Sequence, residues 1–320
     1  MTTFGHRRGR GLEKAALLSI LAGVTAFAQQ QPPPALETLR VQNNVHAIFG
    51  AGGNVTVQIG ADGVLVVDSG VAASAAALAG EIRKLSNGPI RFLINTHLHA
   101  DHTGGNVAFS RAATDPMQPL NIVANEHVLS RMSAALPPFQ AGQTTGGAER
   151  LRGLPIDEYF TPSKDLRFNG EAVVLYHEAN AHTDGDTVVL FRGSDVVSTG
   201  DVFTPDAYPF IDVANGGTIQ GEIAALNHIL QLTVPGHTQE GGTYVVPGHG
   251  RICDEADVVE FRDMLVIVRD RVRDMINKKM TLDQIKAARP TRDYDPGYVT
   301  PASFVKADQF VESVYKGLMK

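Results

Sequence analysis

The run Thr96-His97-Leu98-His99-Ala100-Asp101-His102 sets three imidazoles and one carboxylate within six positions, directly behind the apolar stretch Ile90–Ile94. That stretch reads as a short buried strand ending in Asn95-Thr96. In its extended continuation His97 and His99 leave the chain on the same side, so both can bind one cation. Asp101 and His102 fall where the chain turns toward Gly104-Gly105 and a helix start, within reach of a second ion. With this chain's own His and Asp frequencies, such a run arises by chance in about one sequence per thousand. Imidazole with carboxylate suits zinc well, and iron or manganese less so. The fold must therefore end a buried strand in an open, ligand-bearing loop.

Around that run the chain alternates strands and helices. Its 320 residues make one large domain or two small ones, and 43% apolar with 19% charged residues describes an ordinary globular protein rather than a disordered or coiled-coil one. The segments VHAIF, NVTVQI and GVLVVD, between Val45 and Asp68, are separated by Gly-rich turn signals and read as antiparallel hairpins. A helix follows over Ala72 to Leu85, then the strand Ile90–Ile94, a strand at Asn121 to Ala124 and a helix from about Glu126. The Pro/Gly-rich stretch Leu136 to Pro155 is long enough to be a functional loop. Strands return at Glu171 to His177, Thr187 to Arg192 and Val196 to Thr199, then a helix at Thr218 to Leu232 and a strand at Thr243 to Val246. Helices are expected at Asp254 to Lys278, Thr281 to Ala288 and Ser303 to Leu318. This order points to an α+β protein, a four-layer α/β/β/α sandwich over residues 37–252 with a C-terminal helical extension over 253–320.

The first residues carry Arg7, Arg8, Arg10 and Lys14 ahead of an apolar run from Ala15 to Phe27 and the small-residue site Ala26-Phe27-Ala28. This is the pattern of a secretory signal over residues 1–28, with a Gln/Pro linker over 29–36. The apolar run falls short of the roughly 20 residues that span a bilayer, so no stable membrane insertion is expected after cleavage. The chain has 28 basic and 34 acidic residues; cleavage removes four basic residues and Glu13, leaving a still more acidic, exported, periplasmic or extracellular protein. No basic footprint offsets nucleic-acid phosphates, so the expected partner is a small-molecule substrate. The single cysteine, Cys253, excludes an intrachain disulfide and reads as a buried small residue.

The chain resembles the metallo-β-lactamase superfamily between about Val45 and Gly250. Five motifs carry the resemblance: Asp68 in VLVVDSG, the run THLHADH, His182 in AHTDGDTVV, Asp201 in STGDVF and His249 in VVPGHG. The resemblance implies His97, His99 and His182 on a first zinc, Asp101, His102 and His249 on a second, Asp201 bridging both, and Asp68 behind them orienting ligands. Aspartate at position 201 resembles glyoxalase II and lactonase relatives rather than the antibiotic-hydrolysing enzymes that often carry cysteine there. Two zinc ions with positions left for solvent imply a hydroxide nucleophile oriented by Asp101, attacking a β-lactam-like amide, a lactone or a thioester. An iron oxidoreductase on the same ligands, or a binding module without turnover, are the competing classes.

Other polar residues have plainer readings. His46, His127, His177 and His228 lie in strands or helices and are expected to be surface or hydrogen-bonded groups. His237 repeats the local Val-Pro-Gly-His text of His249, but only His249 is delivered by a strand. Asp68 is equally consistent with an Asx-type turn. Asp184 and Asp186 could support His182, and Tyr208, Asn215 and Lys164 lie near enough in sequence to reach a substrate.

Overall fold

The computed structural model describes Met1 and residues 35–113, 117, 119–136, 151–237 and 241–319. The expected signal segment, nearly all of its linker and most of the Leu136–Pro155 stretch lie outside the described residues. Seven strands form the first sheet in chain order: β1 (Glu37–Gln42), β2 (Val45–Phe49), β3 (Val55–Gly60), β4 (Gly63–Val67), β5 (Ile90–Ile94), β6 (Asn121–Asn125) and β7 (Asp157–Tyr159). The pairings up to β4 are antiparallel and those beyond it parallel. The second sheet holds β8 (Ser163–Phe168), β9 (Glu171–Glu178), β10 (Asp186–Phe191), β11 (Val196–Ser198) and β12 (Tyr244–Val246), antiparallel except for β11 with β12.

Strand periodicity assigns each apolar side chain to a layer. In β4, Val64 and Val66 pack outward in a cluster with Leu78 and Ile82 of helix α1 (Ala75–Leu85), while Leu65 and Val67 turn inward toward the second sheet. In β10, Val189 and Phe191 face inward, and Val188 and Leu190 join the helices on the far side. A strand buried on both faces reads as an unbroken apolar run, which explains GVLVV and DTVVLF. The layers are thus helix, sheet, sheet, helix, the expected α+β sandwich.

Further helices among the described residues include α2 (Ala100–Thr103), α3 (Asn106–Ala112), α4 (Glu126–Ala134), α5 (Ile219–Leu232), α6 (Glu255–Asn277), α7 (Leu282–Ala288), α8 (Asp295–Tyr298) and α9 (Ala307–Met319). Capping boxes at Asp254 with Asp257 and at Thr281 with Gln284 start α6 and α7 by satisfying free backbone N–H groups. One apolar cluster contains Val188 of β10, Leu226 of α5, Leu265 of α6 and Phe310 of α9, so the C-terminal helices complete the core over the second sheet. Among the described residues, no helix is long and apolar enough to cross a membrane.

Three strands escape the sequence reading. The edge strand β8 (SKDLRF) exposes alternate polar side chains and β1 (ETLRVQ) exposes Glu37, Leu39 and Arg40, and charged edges resist pairing with other chains at the expense of a hydrophobic signal. The three residues of β7 are set by parallel pairing with β6 rather than by composition. The last helix begins at Ala307 rather than Ser303, because the Ser303 hydroxyl accepts from Thr300 N at 2.8 Å and closes a turn.

Glu222 on α5 is fully buried, and neither carboxyl oxygen has a hydrogen-bond partner. Burial, reinforced by the like charges of Asp186 and Asp201, pushes its pKa well above the ordinary carboxylate value. The folded protein therefore holds a proton that the unfolded chain releases above about pH 4.3, so this group makes stability fall as pH rises toward its folded pKa. Glu222→Gln, which cannot ionise, should flatten that decline by up to about 1.4 kcal/mol per pH unit in urea unfolding between pH 5 and 8. Equal pH slopes for the two proteins would contradict a protonated Glu222.

Candidate metal centre

Every candidate ligand stands at or beside a strand end on one edge of the sandwich. His97 follows β5, His99 is the extended N-cap of α2, and Asp101 and His102 occupy that single turn. His182 precedes β10, Asp201 follows β11 and His249 follows β12. The two sheets are tied together here by Thr187 N donating to Thr96 O at 2.7 Å. The approach is so close that glycine is required twice: a Cβ on Gly200, whose φ is +52°, would lie 2.7 Å from the Thr96 side chain, and one on Gly248 would lie 2.1 Å from Asp201 Oδ1.

Two donor clusters result, His97, His99, His182 and Asp201 in one and Asp101, His102 and His249 in the other, with donor atoms within 4.8 Å of one another in each. In the first, His99 Nδ1 is 3.1 Å from His97 Nε2 and 3.0 Å from His182 Nε2, and Asp201 Oδ2 is 3.8 Å from both of those Nε2 atoms. In the second, His249 Nε2 is 3.4 Å from His102 Nε2 and 3.1 Å from Asp101 Oδ2. The other oxygen of Asp201 faces this second cluster, 3.2 Å from His102 Nε2 and 3.5 Å from His249 Nε2.

The outer nitrogens fix the tautomers. His102 Nδ1 meets Asp68 Oδ2 at 2.6 Å and His99 Nε2 meets Asp212 Oδ2 at 2.9 Å. His182 Nδ1 meets the carbonyl oxygen of Phe210. The Thr96 hydroxyl donates to Asp68 Oδ2 at 2.8 Å, so its oxygen accepts from His97 Nδ1 at 3.0 Å. Each of these four outer nitrogens therefore carries a hydrogen, which leaves the inner nitrogen of each ring to offer a lone pair to a cation whenever that ring is neutral. Converging lone pairs repel unless a cation lies among them. Asp201 Oδ1, buried without a hydrogen-bond partner, points the same way. The donor set fits metal ions, and its outer partners are of the kind that orient metal ligands.

Protonation agrees at the first cluster. Burial, then the neighbouring imidazoles, hold His97 well below the ordinary histidine value, and burial lowers His182 to about 4. Burial raises Asp201, but the surrounding imidazoles, His102 foremost, outweigh it and hold the carboxyl well below its usual range. Burial likewise lowers His102, yet Asp201 and Asp68 together lift it well above the ordinary value. A proton and a metal cation compete for that nitrogen.

Asp68 does more than close a turn, since its backbone sits at φ 65° and its two oxygens bind Thr96 N, the Thr96 hydroxyl and His102. Asp186 caps its own loop by accepting from Thr183 N and Oγ1, and Asp184 pairs with Arg131. Tyr208 lines the cavity beside the ligands, but its hydroxyl is committed to Thr291 O and Asp295 Oδ1. Asn215 bonds Asp212 and Arg131, and Lys164 pairs with Asp157; neither lines that cavity. His237 is exposed and outside both clusters, and Cys253 lies in the core with burial pushing its thiol up to about 12. His177 bonds Asp184 O and His228 bonds Glu178, as expected of structural histidines. Asp212 and Phe210 went unread in the sequence, because nothing local marks a residue that meets a histidine 113 or 28 positions away.

The sequence matches the family model described as the metallo-beta-lactamase superfamily over residues 49–249. The chain belongs to that superfamily. Among solved structures it resembles the inverting sec-alkylsulfatase Pisa1 from Pseudomonas sp., with a TM-score of 0.65 at 15% identity, over 88% of this chain and 50% of the other. It thus spans about half the length of that enzyme. It also resembles a metallo-beta-lactamase from Pontibacter korlensis (TM-score 0.57, 16% identity, 72% of this chain and 99% of the other) and the metallo-beta-lactamase TMB-1 (0.55, 17%, 73% and 98%). These likenesses establish the fold. No curated protein sequence matches the chain significantly.

Asp212→Ala should lower metal affinity about tenfold or more, since His99 loses the partner that fixes its tautomer, while Asp212→Asn, which keeps an acceptor oxygen, should lose less. Competition against a chromophoric chelator measures both. Wild-type affinity in the alanine variant would remove Asp212 from the site.

Proposed function

We propose that the protein is an exported dinuclear zinc hydrolase of a small carbonyl compound. The observation that carries this reading is the convergence of seven donors with outward-anchored imidazoles beside a cavity of about 660 Å³, within the range of small-molecule sites. His97, His99 and His182 would hold one ion and Asp101, His102 and His249 the other, with Asp201, whose two oxygens face different clusters, between them. Zinc held there would supply Lewis-acid polarisation of the substrate carbonyl and a solvent nucleophile that ionises near neutral pH.

The protein's own groups do the positioning. Asp101 reaches the cavity with its side chain 35% exposed, and the hydrogen bond from His249 helps to outweigh burial and keep it ionised. A carboxylate in that place orients an attacking water, accepts its proton and returns it to the leaving group. The Phe210 ring, 5.8 Å from His99 and 5.9 Å from His182, keeps bulk water off one side of the centre. Export rests on the basic and apolar pattern of residues 1–28, and the acidic charge balance favours a small-molecule substrate over nucleic acid.

Elemental analysis of the purified mature protein should find about two zinc ions per chain; one or none after reconstitution contradicts the dinuclear reading, and iron would favour the oxidoreductase. Asp201→Ala should lose an ion or turnover, whereas Cys253→Ser keeps both. Asp101→Asn should cut turnover of a cephalosporin, lactone or thioester substrate about a hundredfold or more with little loss of zinc. Unchanged turnover would remove Asp101 from the chemistry.

A further inference from the structure

We propose that the substrate carries an uncharged apolar group next to its scissile carbonyl, and that Phe304 and Val305, outside the matched family stretch, help to select it; this rests on the hydrolase reading above. Polar and apolar residues segregate in the cavity. His99, Asp101, Asp201 and His249 form the reacting end, and apart from Thr204 the remaining wall is apolar, from Ala100, Ala207, Tyr208, Phe210, Phe304 and Val305. Phe304 is 80% exposed and Phe210 41%, and their rings meet edge to face at 5.4 Å. The Phe210 backbone is anchored by its carbonyl oxygen on His182, and its ring packs on Phe304. Tyr208 is stacked at 4.8 Å on Phe310 of α9, with its hydroxyl turned away to Thr291 and Asp295.

Two exposed aromatic rings packed against each other at the mouth of a cavity present an apolar surface that an acyl or alkyl chain can cover. Among the described residues, no lysine or arginine lines the cavity. A carboxylate or sulfate remote from the scissile bond would leave water for an apolar wall with no cation to pair it. The wall therefore favours neutral acyl compounds over anionic ones.

The test uses the zinc-reconstituted full chain with 4-nitrophenyl acetate, butyrate, hexanoate and octanoate, and with the matched monoesters of adipate and suberate, whose far ends are carboxylates. The ratio kcat/KM should rise about threefold per methylene over the first few, mainly through KM. It should fall at least tenfold when a terminal methyl becomes a carboxylate. Phe304→Ala should lower the octanoate-to-acetate ratio about tenfold, and Phe304→Lys, at an exposed position that tolerates charge, should shift preference toward the suberate monoester. A flat chain-length series, or wild-type preference for the carboxylated esters, overturns the proposal. If no ester, lactone, thioester or cephalosporin is turned over, the hydrolase reading fails. The apolar wall is then judged by calorimetry on the metal-free full chain, where octanamide should bind at least tenfold tighter than suberamic acid, and equal binding overturns it.

Discussion

His97, His99 and His182 turn their inner nitrogens toward one another, His102 turns its own toward His249 and Asp201, and the architecture at this edge of the sandwich serves to hold the four rings so. Left free, each ring would rotate to give its lone pair a donor. Here each is pinned from behind, His102 by Asp68, His99 by Asp212, His182 by the Phe210 carbonyl and His97 by Thr96, which itself leans on Asp68. Burying Asp68 and Asp201 would cost several kcal/mol apiece without compensation. Asp68 recovers it through its bonds to Thr96 and His102, and Asp201 through the imidazoles around it and the cations the site fits. Two sheets are needed because the anchors and the candidate ligands come from both. Asp68, Thr96 and His97 leave the first sheet, while His182, Asp201 and His249 flank strands of the second.

That division decides what the sequence could reveal. The candidate ligands in THLHADH are adjacent, so their chemistry is legible in one line. His182, Asp201 and His249 become legible because each sits beside an apolar strand and within a motif resembling the family. Central strands such as β4 and β10 announce themselves by continuous apolar runs. The edge strands β1 and β8 do not, because one face meets solvent and their charges guard the edge. Asp212 belongs to an irregular loop, and its role depends on a contact that only the folded chain creates.

The cavity shows the same limit from the substrate side. Tyr208 was expected near the substrate from its neighbourhood and does line the cavity, yet its hydroxyl serves the helical extension instead. The sequence pattern places Phe304 in a terminal helix, but it lies in the turn before α9 and reaches the cavity mouth. The reacting end is thus built from strand ends that the family stretch supplies, and part of the opposite wall from residues beyond it. Chemistry and selectivity can vary separately in such an arrangement.

X-ray absorption at the zinc edge of the reconstituted protein tests the central claim most directly, because it counts donor types around the metal without relying on turnover. Nitrogen and oxygen neighbours at about 2.0–2.2 Å, an imidazole scattering pattern, no sulfur, and a metal–metal vector at about 3.5–4 Å are expected. A sulfur shell near 2.3 Å would place Cys253 at the metal. That result, or a spectrum without imidazole, would contradict the assignment of the converging histidines and Asp201 as the metal-holding site.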